Sequence, residues 1–93
     1  MTMLQKIIRD LDERYPQTVL LFEVLNHFEI LGSNAAHAAT LLNITITDNR
    51  CGIHKKDLQK SLAIVTQNGY KAAIIGSLHS DSCLNITEQL ITF

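Results

Sequence analysis

The sequence predicts an α/β domain: a mixed β-sheet with helices packed on it, in the order α-β-β-α-β-α-β-β. Three observations carry that prediction. Apolar residues recur at helical spacing from Met3 to Arg14, and Thr18–Leu25 is β-branched and apolar on both faces. After that run, helix-like and strand-like stretches alternate to the end of the chain.

In the first segment Leu4, Ile7, Ile8 and Leu11 form an apolar stripe, opposite Lys6, Arg9, Asp10, Asp12 and Glu13. Tyr15-Pro16 ends it, because a proline drives the preceding residue out of helical conformation. Thr18–Leu25 reads as an interior strand, Asn26-His27 as a short turn, and Phe28–Leu31 as the second arm of a hairpin. Gly32-Ser33-Asn34 offers a turn and an N-cap for an alanine-rich helix through about Leu42. Ile44–Thr47 alternates as a strand, and Asp48-Asn49 turns it. Leu58, Leu62 and Val65 mark a helix from about Lys55 to Asn68, with Gly69 placed to accept a left-handed conformation at its end. Ala72–Ile75 is a short buried strand ending at Gly76, and Ile86–Phe93 reads as a last, peripheral strand.

Ninety-three residues make one domain, residues 1–93, without linker or repeat. A chain of this size buries about 64% of its extended surface on folding, enough for a core without disulfide or metal staples. Apolar residues are 46% and charged residues 18% of the chain, a globular composition. Eight Lys and Arg against nine Asp and Glu give a net charge of -1, which argues against a dedicated nucleic-acid clamp. The apolar runs fall short of the about 20 residues of a membrane helix. The charged N-terminal segment is not a signal peptide. The sequence therefore predicts a cytoplasmic protein with no membrane partner, its Cys51 and Cys83 reduced.

Three blocks carry a family resemblance. The first is Tyr15-Pro-Gln-Thr-Val-Leu-Leu-Phe22. The second is Gly32-Ser-Asn-Ala35 followed by Ala38-Ala-Thr-Leu-Leu-Asn-Ile-Thr-Ile-Thr47. The third is Cys51-Gly-Ile-His54, continuing through Leu58, Leu62, Val65, Gly69, Ala73 and Ile74. In this order and spacing, Tyr15 to Gly76 resembles the N-terminal mismatch-recognition domain of the MutS family of DNA mismatch-repair proteins. Ile86–Phe93 is similar to that domain's next strand.

The resemblance implies double-stranded DNA as a partner. Family members that recognise mismatches carry Gly-Asp-Phe-Tyr-Glu, whose Phe wedges beside the mispair and whose Glu hydrogen-bonds a base. A mispaired step tolerates such unstacking best. Here Asn26-His27-Phe28-Glu29 reads as one residue short. If Glu29 keeps the family's Glu position, the wedge position falls on His27 and Phe28 takes the Tyr slot. If Phe28 is the wedge, Glu29 points to the opposite side of the strand. The family's Pro and His after Gly-Ile are replaced by His54 and Lys56, and the loop between Asp48 and Cys51 is shorter. Whole MutS proteins add connector, lever, clamp and ATPase domains. This sequence has no G-x-x-x-x-G-K-[ST] phosphate loop, so the resemblance implies a non-enzymatic orphan copy of the first domain.

The candidate nucleic-acid-binding residues are His27, Phe28, Glu29, Arg50, Lys55, Lys56 and Lys60. The four cations form the densest basic stretch, whose phosphate contacts would be sequence-independent and salt-sensitive. Against the wedge reading stands a core one: Phe28 shares a strand face with Ile30, while Glu29 lies on the other. The alternative function is a protein-interaction or oligomerisation module that keeps the fold without DNA. An exposed Phe28 beside a basic surface fits the first function. A buried Phe28 with an exposed apolar patch elsewhere fits the second. Cys51-x-x-His54 and His79-x-x-x-Cys83 compose a zinc-like set of unspecialised spacing, and the sequence predicts no metal and no cofactor. No nucleophile, base and orienting group come together in the sequence, so no enzyme is expected.

Overall fold

A computed structural model describes residues 2–80 and 83–91. Helix α1 (Met3–Arg14) starts at a capping box, in which Thr2 Oγ1 accepts from the Gln5 backbone and Gln5 Oε1 accepts from the Thr2 backbone. Strand β1 (Thr18–Val24) follows, buried from Thr18 through Phe22, as its apolar sequence requires of a central strand. Strand β2 (His27–Leu31), helix α2 (Ala35–Leu42) and strand β3 (Cys51–His54) come next. A 3-10 turn (Lys55–Asp57) leads into helix α3 (Leu58–Gln67), and strands β4 (Lys71–Ser80) and β5 (Cys83–Ile91) complete the fold. The element order matches the prediction. Gly69, at φ +91°, takes the left-handed place expected of it beyond α3.

The five strands lie in the order β3-β2-β1-β4-β5, antiparallel throughout except for the parallel β1–β4 pair. Alternation along each strand feeds two cores. On one face Leu4 and Leu11 of α1 pack against Leu20, Phe22, Leu31, Ala73 and Ile75. On the other, Ala35, Ala38 and Ala39 of α2 and Leu62 and Val65 of α3 cover Val19, Leu21, Phe28, Ile30, Cys51 and Ile53. The small α2 side chains let that helix lie close to the sheet. The result is a three-layer α/β/α sandwich.

Two boundaries differ from the sequence reading. The third strand is Cys51–His54, not Ile44–Thr47. Asn43 ends α2 in left-handed conformation, and the Ile44 N–H turns back to the Ala39 carbonyl at 3.0 Å. Ile44 then packs beneath the helices rather than joining a ladder. Only Thr47 makes a bridge, to Arg50, around Asp48 and Asn49 with positive φ. The β-branched alternation is met by the partial burial of Ile44 alone, without a strand partner, while Ile46 stays exposed. The hairpin turn also shifts by one residue, to Leu25-Asn26, because Val24 pairs with His27.

The last two strands run longer than expected, with β4 extending to Ser80 and β5 beginning at Cys83. Thr92 and Phe93 of the expected final strand lie outside the described residues. A bulge interrupts β5: Gln89 pairs with Ile74 and Ile86 with Gly76, while Glu88 between them has φ +49°. Among the described residues no helix is long and apolar enough to cross a membrane.

Candidate nucleic-acid interface

His27, Lys55 and Lys56 lie at one end of the sheet, because the β1–β2 turn and the β3–α3 junction meet there, whereas Arg50 precedes the other end of β3. His27 opens β2 directly opposite His54, the last residue of β3, and Lys55 and Lys56 follow at once. Alternation along β2 then divides the motif between faces. Phe28 and Ile30 point beneath α2 and α3, while His27 and Glu29 share the α1 face.

Phe28 is 7% exposed, opposite Ile53 on β3 and Glu23 on β1. It is a core side chain, as its register with Ile30 predicted. Glu29 is half-buried and held in a bidentate pair: Arg50 Nη2 donates to Oε2 at 2.8 Å and Nε to Oε1 at 3.2 Å. The His27 ring packs over Gly52. Lys55 pairs with Glu23 Oε2 at 2.8 Å on the outer surface. Lys56 on the 3-10 turn and Lys60 on α3 are exposed. The structure thus pairs Glu29 with Arg50, sets His27 over Gly52 and opposite His54 where Lys55 and Lys56 follow, and buries Phe28 on the opposite face.

One residue at this end was missed. Leu25, at the hairpin tip, is 84% exposed and adopts φ +52°, a region L side chains enter at a cost. The missed signal was the five-residue frame. The turn is Leu25-Asn26, and a leucine rather than a glycine takes the left-handed position at its tip, so the five-residue stretch Leu25–Glu29 is the frame in which the turn could have been sought.

The four residues of the zinc alternative do not converge. Cys51 is buried on β3, its Sγ donating to the Ala35 carbonyl at 3.7 Å, whereas Cys83 is exposed on β5 at the far edge of the sheet. Burial, then the nearby Glu29 charge, push the Cys51 thiol above its ordinary pKa and keep it protonated. Among the described residues no three His, Cys, Asp or Glu side chains gather to hold a metal.

No curated protein matches this chain. The MutS domain I family matches over residues 2–92, beyond the Tyr15–Gly76 span of the sequence blocks and across all three layers. With a match over nearly the full length, the chain belongs to the MutS domain I family.

Proposed function

We propose that this chain is a non-enzymatic, cytoplasmic MutS domain I module that acts by contact with protein and does not read mismatches with an aromatic wedge. The observation carrying this reading is Phe28, 7% exposed beneath two helices. Two of the four candidate cations support it further, because Arg50 and Lys55 each spend their charge on a neighbouring carboxylate. Exposed apolar side chains lie elsewhere, at Ile86 and Leu90 of β5.

Leu25 favours a second reading, weak duplex contact at the hairpin end. An exposed apolar tip beside His27, His54, Lys55 and Lys56 is a combination that proteins insert between base steps. Fluorescence anisotropy with matched and mismatched duplexes over a salt series separates the two, with sedimentation velocity reporting self-association. The expected result is no mismatch preference and a log-log salt slope no steeper than about −4. Mismatch-selective binding that persists at physiological salt would overturn the protein-contact reading.

A further inference from the structure

A groove of about 790 Å³ lies on the α1 side, away from the hairpin end. Its walls are α1, the β2–α2 turn and the Thr47–Arg50 turn, and its apolar lining is Leu4, Ile8, Leu31 and Ile46. Its size is that of a site for one or a few side chains. Ile46 is 37% exposed at the rim, in a segment of strand-like sequence that belongs to no strand.

The charges around the groove do not balance. Asp12, Glu13 and Asp48 line it against Arg9 and Arg50, and Arg50 is already bound by Glu29. Asp12 Oδ1 is buried and has no hydrogen-bond partner among the described residues, although Oδ2 accepts from the Ser33 backbone. That oxygen sits against Gly32, out of a ligand's reach, but no cation pairs with Asp12 among the described residues, so its charge adds to the negative field of the groove. Apolar lining and acidic excess together describe the complement of an aliphatic chain ending in positive charge.

Building on the protein-contact reading, we propose that this groove receives an arginine or lysine side chain, flanked by apolar residues, from an extended segment of a protein partner. The aliphatic stem lies on Leu4, Ile8 and Ile46, its head faces Asp12 and Asp48, and the flanking residues cover the rim. Long cationic side chains bury their stems in this manner while keeping the head polar.

Two-dimensional NMR with n-butylguanidinium, pentanoate and the peptide acetyl-Leu-Arg-Leu-amide tests this. Butylguanidinium is expected to shift the amides of Ser33, Ile46 and Asn49 with a dissociation constant on the order of millimolar, while pentanoate leaves them unchanged. The peptide is expected to bind at least about 5-fold more tightly, a difference that flanking apolar contacts supply. Asp12→Asn keeps an acceptor for the Ser33 N–H and should weaken the peptide about 10-fold, an order typical of losing a charged partner. Asp48→Asn, on an exposed turn, gives the same readout if Asp12→Asn fails to fold. Pentanoate binding as tight as the cation, or a peptide no tighter than butylguanidinium, would overturn the proposal. Silent groove amides overturn it too, yet leave the protein-contact reading standing, whereas duplex binding sinks that reading without touching the groove.

Discussion

Asp12 ties the helix on one face of the sheet to the turn that ends β2: its Oδ2 accepts from the Ser33 backbone N–H at 3.0 Å. The same carboxylate lies over Gly32, whose φ is +101°, and a Cβ built there would stand 2.9 Å from Oδ1. Gly32→Ala meets both a disfavoured backbone conformation and the Asp12 carboxylate. It should lower stability by about 1–3 kcal/mol in urea denaturation. An unchanged midpoint would show that α1 shifts to accommodate the methyl group.

Phe28→Ala removes a ring enclosed by both neighbouring strands and the α2–α3 layer. The expected loss is about 3–5 kcal/mol, the range for emptying a core aromatic site. A variant that melts like the parent protein would place the ring outside the core and reopen the wedge reading.

Leu25→Gly should act in the opposite direction. The left-handed conformation costs a leucine about 1–2 kcal/mol, and an 84% exposed side chain recovers little by packing. Thermal melts should show a gain of up to about 1 kcal/mol, because glycine also adds freedom to the unfolded chain. A loss of stability would mean that Leu25 packs on the hairpin after all.

The layers and element order were legible because α1, β1 and α3 carry unambiguous periodicity in Leu4–Leu11, Thr18–Phe22 and Leu58–Val65. Strand order was not legible, since pairing β1 with both β2 and β4 depends on contacts distant in sequence. Ile44–Thr47 misled because a β-branched alternation marks one buried side, and a connection packed under helices meets that requirement as well as a strand does. At the candidate site the inward turn of Phe28 followed from alternation with Ile30. The neutralisation of Arg50 by Glu29 and of Lys55 by Glu23 did not, because each pairing is set by register between strands. The tip itself was misread by one residue, since neither Leu25 nor Asn26 announces a turn as strongly as glycine does.

Glu88 joins the end of α1 to the edge of the sheet, accepting from the Tyr15 hydroxyl at 2.7 Å and from Arg14 Nη1 at 2.9 Å. The hydrogen bond to Glu88, then burial and the Glu88 charge, raise the Tyr15 phenol above its ordinary value, with Arg14 opposing. A raised pKa means the folded state retains a proton that the unfolded state releases. The stabilisation is therefore complete below the ordinary phenol pKa of about 10 and lost as pH rises through the raised value. Absorbance titration near alkaline pH should show one late-ionising tyrosine, shifted back down by Glu88→Gln. Identical titration of both proteins would remove Glu88 as the cause.

The two thiols should differ sharply in reactivity. Cys83 is exposed, whereas Cys51 is 3% exposed and its thiol is held protonated by burial and by Glu29. Iodoacetamide at mildly alkaline pH should modify one site quickly, located to Cys83 by peptide mass, and reach Cys51 only under unfolding conditions. Rapid double labelling would mean that β3 detaches from the sheet far more readily than its pairing with β2 suggests.

The single parallel ladder has a kinetic consequence. Strands β1 and β2 form a local antiparallel hairpin, as do β4 and β5, and β3 joins β2 across helix α2, but Thr18 meets Lys71 only after roughly fifty intervening residues. Closing that loop, the longest in the sheet, costs chain entropy before any contact repays it, so the β1–β4 seam is the slow event in assembly. Two hairpins, β1–β2 and β4–β5, form early and wait for each other. Weakening the seam, as with Ala73→Gly, should slow refolding, while changes at the Leu25 tip should leave the refolding arm of a chevron unmoved and alter mainly the unfolding rate.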